Sequence, residues 1–483
     1  MKIAIIGMGI AGTSALREWT KKQRLNSAIK ITVFSDEHTF GTGKAFQQDD
    51  PRLIMNQAAK FTSIDPDNDY DFAEWIKACD GDDQPETKYY PRAKFGAYIK
   101  ERMNSWLAES NADIIQEQVE SMRIVNKQYR VSTPSFTADF DAVHLCTGTL
   151  PYKDPYGINN HVQTIANPFP MEKKLAKIPH GATVGVIGTG LTSIDIFRYT
   201  SAHRPDINLL FFSLSGTFKA MIGGANRIKS HYFTKEAIDQ ALTKNNGTIP
   251  LETYLKWFKQ ELDYHDISLD ELLTGSLGSK SSLERQLTGT SDIGKIQAVL
   301  SNITFYQTDL WMALTEADKR KFKAKYDVTL DKLQAAFPKE TAKHFISAWN
   351  NNEFKVYNNL IDIKKNDQSF TFKLKNAEPI HIDYVINATG NNRVVSHDMK
   401  HPPLIRQLVN ERILQPEVFG GVQVTMPELS AVSQKYGVLH TLKAHGQLIA
   451  GIQYGNSSVR IISKSVKASV EDIFNRLEER KMV

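Results

Sequence analysis

Cysteine is almost absent: Cys79 and Cys146 are the only two in 483 residues, and they form no Cys-x-x-Cys pair. That excludes a thioredoxin-like redox pair and a cysteine-ligated zinc, and it fits a reducing, cytoplasmic compartment. No apolar run approaches the ~18 consecutive residues of a membrane helix, so no membrane partner is expected. Charge of one sign is not concentrated either. The 59 Lys and Arg stand against 54 Asp and Glu. The densest basic run, Lys319-Arg320-Lys321 with Lys323 and Lys325, is interleaved with Phe322, Ala324 and Tyr326. It reads as the solvated face of a helix, and no nucleic-acid partner is expected. No HExxH, Ser-His-Asp or paired-carboxylate signature occurs. The thirteen histidines include His38, His144, His161, His440 and His445, and only the loose pair His440 and His445 comes near metal-ligand spacing. Structural roles are expected for them, and no metal.

What is present is a strand, a glycine turn and a helix, twice over. Lys2–Ile6 is short, apolar and branched. It runs into Gly7-x-Gly9-x-x-Gly12, a helical stretch from Thr13 to Lys22, and a second branched strand at 29–34. A Gly-x-Gly-x-x-Gly in this context turns tightly, lets the backbone approach a pyrophosphate, and places a helix N-terminus beneath the phosphates. The same glycines interrupt an apolar N-terminus that would otherwise resemble a short signal peptide, and a single lysine is a thin charged region for one. The acid that binds the adenosine ribose normally ends the second strand. Here Phe34 is followed by Ser35 and then Asp36, so Asp36 is the candidate and Ser35 a weaker alternative.

The pattern restarts at Thr183–Ile187, with the turn Gly188-x-Gly190-x-x-Ser193, a helix, and a strand at Asn208–Phe212. Each unit later returns an apolar strand ending in Thr-Gly, at Thr147-Gly148 and at Thr389-Gly390. The expected fold is α/β, with two Rossmann-like dinucleotide-binding domains. The first comprises 1–160 joined to 380–483. The second is 161–379, with a mostly helical insertion at about 234–350. After Phe212 the sequence offers neither an acid for a ribose 2′-hydroxyl nor an arginine for a 2′-phosphate. Lys219 and Arg227 are the nearest sources of positive charge, so NADPH is slightly favoured over NADH.

Further blocks accompany these turns: Phe40 to Phe46, Asp50-Pro51, Leu53 to Asn56, Tyr90-Pro91-Arg92, Phe95 to Tyr98, Asn167-Pro168, Asp383 to Gly390 and Gly451 to Gly455. Together they resemble the FAD/NAD(P)-binding proteins related to flavin-dependent N-hydroxylating monooxygenases, in the branch of urate hydroxylases and amino-acid N-oxygenases. The resemblance implies that Gly7, Gly9, Gly12 and Asp36 bind FAD phosphates and ribose, with Thr147 and Gly148 in the same cofactor set. It places Gly43, Met55 and Asn56 close to the flavin, Gly390 and Gly451 near its other edge, and NADPH or NADH on Gly188, Gly190 and Ser193. Arg92 braces the flavin or an anionic substrate, or is a structural salt bridge; both readings stay open. The implied activity is a flavin-dependent oxidoreductase, and specifically a monooxygenase acting on a small polar substrate through an oxygenated flavin. A flavin reductase with another acceptor, and a non-catalytic FAD-binding sensor, are the alternatives. No catalytic residue, substrate identity or oligomeric state is legible.

Overall fold

The computed structural model describes residues 1–224, 228–375, 377–399 and 402–482. Chain contacts divide it into two compact units, one of residues 1–151 with 391–483 and the other of residues 152–390.

The first unit is built on a six-stranded sheet. Its order is Ser430–Ser433, Gly437–Ala444, Ala142–Leu145, Lys2–Ile6, Lys30–Phe34 and Asp113–Ile115. All neighbours run parallel except the antiparallel edge strand Ser430–Ser433. A sheet of this kind is covered on both faces, which is why its central strands are apolar in succession rather than in alternation. On one face Ile3 and Ile5 meet Ala11, Ala15, Leu16 and Trp19 of the helix Ile10–Leu25, and Val466, Val470 and Ile473 of the final helix Val459–Met482. On the other, Ala4, Ile6, Val143 and Leu145 pack against Tyr129 and Val131. These two belong to an antiparallel meander of Ser121–Val125, Gln128–Ser132 and Thr137–Phe140. Each fully buried Leu, Ile or Phe contributes about 1.5–3 kcal/mol, so this double covering carries most of the unit's stability.

The second unit repeats the plan. Its parallel sheet has the order Phe354–Tyr357, Asn208–Phe212, Thr183–Ile187, Tyr384–Asn387, Thr164–Ile165. Its own antiparallel meander, Leu360–Lys365, Phe370–Leu374 and Ile380–Ile382, again precedes the strand that ends in Thr-Gly. Between Lys235 and Asn350 the chain is helical, from Lys235–Lys244 to Lys339–Asn350. The basic run lies on the helix Glu316–Lys325, where Arg320 and Lys325 are exposed while Lys319, Lys321 and Lys323 are half-buried against Trp311, Glu252 and Asp327. Several elements were not legible in advance, among them the helices Asp71–Asp80 and Pro403–Asn410, the edge strands Asp113–Ile115 and Thr164–Ile165, and the strand pair Ser430–Ser433 and Gly437–Ala444. The final helix also starts at Val459 rather than near Val466. No helix of the described residues is long and apolar enough to cross a membrane, and they hold no metal-competent cluster.

Candidate functional site

Each unit ends its central strand in a glycine turn, and the two turns are connected alike. In the first, Gly7 N–H donates to Phe34 O at 2.7 Å and Cys146 N–H to Ile6 O at 2.8 Å. In the second, Gly188 N–H donates to Phe212 O at 2.8 Å and Ala388 N–H to Ile187 O at 2.9 Å. Both leading glycines have left-handed backbones, with φ of +97° at Gly7 and +113° at Gly188. A Cβ there would lie 2.3 Å from Cys146 O and 2.5 Å from Ala388 O respectively. Glycine is therefore required twice by one construction: a turn crossing over the returning strand that ends in Thr-Gly.

The turns differ at their third position. A Cβ on Gly12 would fall 1.9 Å from Gly7 O, so that helix presses directly on the turn. At the equivalent Ser193 the side chain fits and its hydroxyl donates to Gly188 O at 2.7 Å. Serine thus replaces close contact by a hydrogen bond, which is the physical reason the second motif departs from glycine.

Both helices that follow are uncapped. Gly9 and Gly190 occupy the N-cap without a side-chain bond, and neither first turn holds an acid. In the first, the earliest helical N–H to reach an acceptor among the described residues is that of Thr13, to Gly9 O at 2.9 Å. In the second it is that of Ser193, to Gly190 O at 3.1 Å. The N–H groups ahead of them, and the positive end of each helix, remain for an anion.

The other sequence candidates distribute as follows. Gly43 is brought onto the first turn: a Cβ on it would stand 3.2 Å from the Cα of Gly9. Asp36 is exposed and caps the short helix Glu37–Thr39, its carboxylate accepting from Thr39 N–H at 3.0 Å and Thr39 Oγ1–H at 2.7 Å. Met55 is buried among Phe72, Phe95 and Tyr98, its N–H on Tyr90 O at 2.8 Å, with Asn56 half-buried beside it. Arg92 opens the helix Arg92–Ser110, its N–H on Leu53 O at 2.8 Å. Thr147 and the exposed, left-handed Gly148 (φ +73°) follow directly on the Cys146 carbonyl against which Gly7 packs. Gly390 (φ +81°) holds the matching place in the second unit. Gly451 has a packing reason of its own, since a Cβ there would lie 2.5 Å from Gly420 O. Lys219 is not a free cation, because its ammonium is paired with Asp331. Arg227 lies outside the described residues.

Residues 4–150 match an FAD-NAD(P)-binding protein family. The match spans less than a third of the chain. Across nearly the whole chain the fold is also that of solved flavoprotein hydroxylases. Ornithine hydroxylase from Pseudomonas aeruginosa aligns over 99% of both chains at 11% identity with a TM-score of 0.60. L-lysine 6-monooxygenase from Pseudomonas syringae aligns over 97% of this chain and 98% of its own, at 13% identity and a TM-score of 0.57. Ornithine N-hydroxylase from Kutzneria sp. 744, solved with reduced FAD, NADP⁺ and L-ornithine, covers 98% and 99% at 12% identity and a TM-score of 0.54. At these identities the likeness is one of fold. No curated protein matches the chain in sequence.

The first unit holds one polar system that local patterns do not reveal. Trp19 Nε1–H donates to His144 Nε2 at 2.8 Å, and His144 Nδ1 lies 2.9 Å from His445 Nε2. Indole only donates, so His144 Nε2 is the acceptor and its proton sits on Nδ1. His445 Nε2 must then accept, which puts the second proton on His445 Nδ1, a buried atom with no partner among the described residues. Burial, helped by the charge of Lys443, holds the His445 pKa down at about 3. Burial, with His445 and Lys443 beside it, holds His144 well below the usual histidine value. His440, by contrast, is exposed and takes no part. The loose His440–His445 spacing is no metal pair, because the fold gives His445 to His144.

Proposed function

We propose that the chain is an FAD-dependent, NAD(P)H-using oxidoreductase that oxygenates a small polar substrate. The observation that carries this reading is the repeated, uncapped glycine turn: two dinucleotide-type phosphate cradles, one per unit, on a fold shared with flavin hydroxylases. In this reading the first-turn N–H groups of Ile10, Ala11 and Gly12 bind the FAD pyrophosphate. Gly9 and Gly43 leave room for it, and Asp36 hydrogen-bonds the adenosine ribose while still capping Thr39. Met55, Asn56, Arg92 and Gly451 of the first unit flank the flavin. Gly188, Gly190 and Ser193 hold the nicotinamide dinucleotide.

Held on the turn of Gly7, Gly9 and Gly12, FAD would supply the redox chemistry between the nicotinamide and dioxygen. The overall reaction balances as substrate, O₂, NAD(P)H and a proton giving hydroxylated substrate, NAD(P)⁺ and water. The protein's part is to bind, orient and exclude water, which is consistent with the lack of a hydrolytic triad in the sequence. Ornithine and lysine, named for the proteins of similar fold, set the size and polarity of the first substrates to screen. A disulfide reductase is disfavoured by the cysteines: Cys146 is buried with its thiol pushed up by that burial, and Cys79 has no partner cysteine. Two free thiols also support the cytoplasm as the compartment.

The test is anaerobic titration of the FAD-loaded protein with NADPH and then NADH, followed by visible absorbance. Bleaching by either, and substrate-dependent oxygen uptake on readmitting air, is the expected outcome. A flavin that binds and stays oxidised would remove the enzyme reading and leave a flavin-binding sensor.

A further inference from the structure

The loop that follows the strand Asn208–Phe212 carries a cation without a counterion. Lys332, on the helix Asp327–Gln334, donates from Nζ to Thr217 Oγ1 at 2.6 Å and to the Leu277 carbonyl at 3.2 Å. Both acceptors are neutral, and no carboxylate pairs with it among the described residues. The nearby Lys219 is already held by Asp331. The carboxylate of Asp331 thus answers Lys219, and a net positive charge stays beside the loop. Burial first, and then the charge of Lys219, push the Lys332 pKa down, the mark of a site that would be stabilised by an anion.

Two hydroxyls stand beside it. Thr217 Oγ1 accepts from Lys332 and lies 2.8 Å from Ser215 Oγ, a pair in which either hydroxyl can donate. Ser215 Oγ also accepts the Thr217 N–H at 3.3 Å. When Thr217 donates to it, the exposed Ser215 hydroxyl keeps its hydrogen for an acceptor from outside the chain.

Position supplies the ligand. Phe212 is paired with Ile187, the residue before the Gly188 turn. A dinucleotide whose pyrophosphate sits on that turn brings its adenosine ribose to the end of the neighbouring strand, where this loop begins at Ser213. We propose that Lys332, with the hydroxyls of Thr217 and Ser215, binds the 2′-phosphate of NADPH and sets a preference for NADPH over NADH. The proposal rests on the reading that this unit takes a nicotinamide dinucleotide. It assigns the cation to a helix more than a hundred residues downstream of the strand, not to the loop's own Lys219.

The experiment is calorimetric titration of the FAD-loaded full chain with adenosine 2′,5′-bisphosphate and with 5′-AMP, which differ only in the 2′-phosphate. The wild type is expected to bind the bisphosphate about 10-fold tighter or more, the scale of a charge-assisted hydrogen bond. Lys332→Met should remove that difference and Lys332→Arg should keep most of it. Melting temperatures will register any structural role of the lysine, which would not by itself alter the ratio between the two nucleotides. Ser215→Ala, at an exposed position, carries the test if Lys332→Met does not fold, and should narrow the ratio several-fold. An unchanged ratio in Lys332→Met, or in Ser215→Ala where that variant stands in, overturns the proposal. A wild type that binds both nucleotides equally overturns it while leaving the dinucleotide reading intact. A wild type that binds neither overturns both.

Discussion

Trp19 and His144 meet at 2.8 Å, indole N–H to imidazole nitrogen, and that one contact sets the protonation of two buried histidines. Because Trp19 can only donate, His144 and His445 are held neutral in a relay with no site for an extra proton. Their pKa values are depressed below the unfolded value near 6.5, His445 to about 3. As pH falls below 6.5 the unfolded chain takes up protons that the folded chain refuses, so stability falls with pH down toward 3. Each histidine contributes a slope of about 1.4 kcal/mol per pH unit in that window, so the pair should cost about 2–3 kcal/mol between pH 7.5 and 5.5. Urea unfolding at those two pH values measures it. His144→Phe should lower stability at both pH values and flatten the profile by about half. A profile already flat in the wild type would contradict the burial.

Lys443 and Asp472 give a second electrostatic test. The amine is completely buried, 2.5 Å from the carboxylate, with Ser430 Oγ as its other acceptor. Burial alone would favour losing the proton, and Asp472 opposes that. Removing one partner of such a pair strands the other charge, typically at about 3–5 kcal/mol. Asp472→Ala should therefore destabilise the protein by roughly that amount at pH 7. The loss should shrink as pH rises through the depressed pKa of Lys443, because the folded amine then sheds its proton with or without Asp472. A loss independent of pH would mean that Asp472 acts through Arg476, its other partner, and not through Lys443.

The glycines of the first turn separate folding from binding. Alanine at Gly12 puts a methyl group 1.9 Å from the carbonyl of Gly7, backbone against backbone, so Gly12→Ala should give little soluble protein. Alanine at Gly9 meets only the backbone of Gly43, its Cα at 3.4 Å and its N at 3.8 Å, which the fold tolerates. The added methyl does, however, occupy the approach of a pyrophosphate. Gly9→Ala is expected to fold with a near-native circular dichroism spectrum and to purify without flavin. Yellow Gly9→Ala protein with a normal FAD content would remove the first turn from the cofactor site.

These glycines were readable in the sequence because backbone geometry dictates the residue locally, and the strands Lys2–Ile6, Thr183–Ile187 and Asn208–Phe212 were readable from their unbroken apolar runs. The helix Asp71–Asp80 was not. It is short, lies between Gly- and Pro-rich segments, and shows its apolar side only once Phe72, Trp75 and Ile76 are seen to be buried. The histidine relay was hidden for a different reason. Trp19 to His144 spans 125 residues and His144 to His445 spans 301, so only tertiary pairing of the strands unites them. Lys332 was missed likewise, because it reaches the loop after Phe212 across 115 residues, from within a helical stretch that carries no motif. Local motifs reported the glycine turns, and side chains brought in from afar were silent.

That division predicts how the second turn will respond. Gly190, unlike Gly9, faces open space: a Cβ there would have no neighbour within 4 Å. The fold has no use for glycine at this position, since the helix is held by the Ser193–Gly188 hydrogen bond and the turn by the left-handed backbone of Gly188. What an added methyl would obstruct is a pyrophosphate on the N–H groups of Leu191 and Thr192. Gly190→Ala should therefore melt at the wild-type temperature and keep its FAD. It should also lose at least about tenfold in the rate of flavin reduction at low NAD(P)H, the loss expected when a displaced phosphate forfeits a charge-assisted bond. Stopped-flow reduction under nitrogen reads that rate. An unaltered rate would mean that the nicotinamide dinucleotide lies elsewhere, and that the second cradle is a relic of the repeat rather than a site.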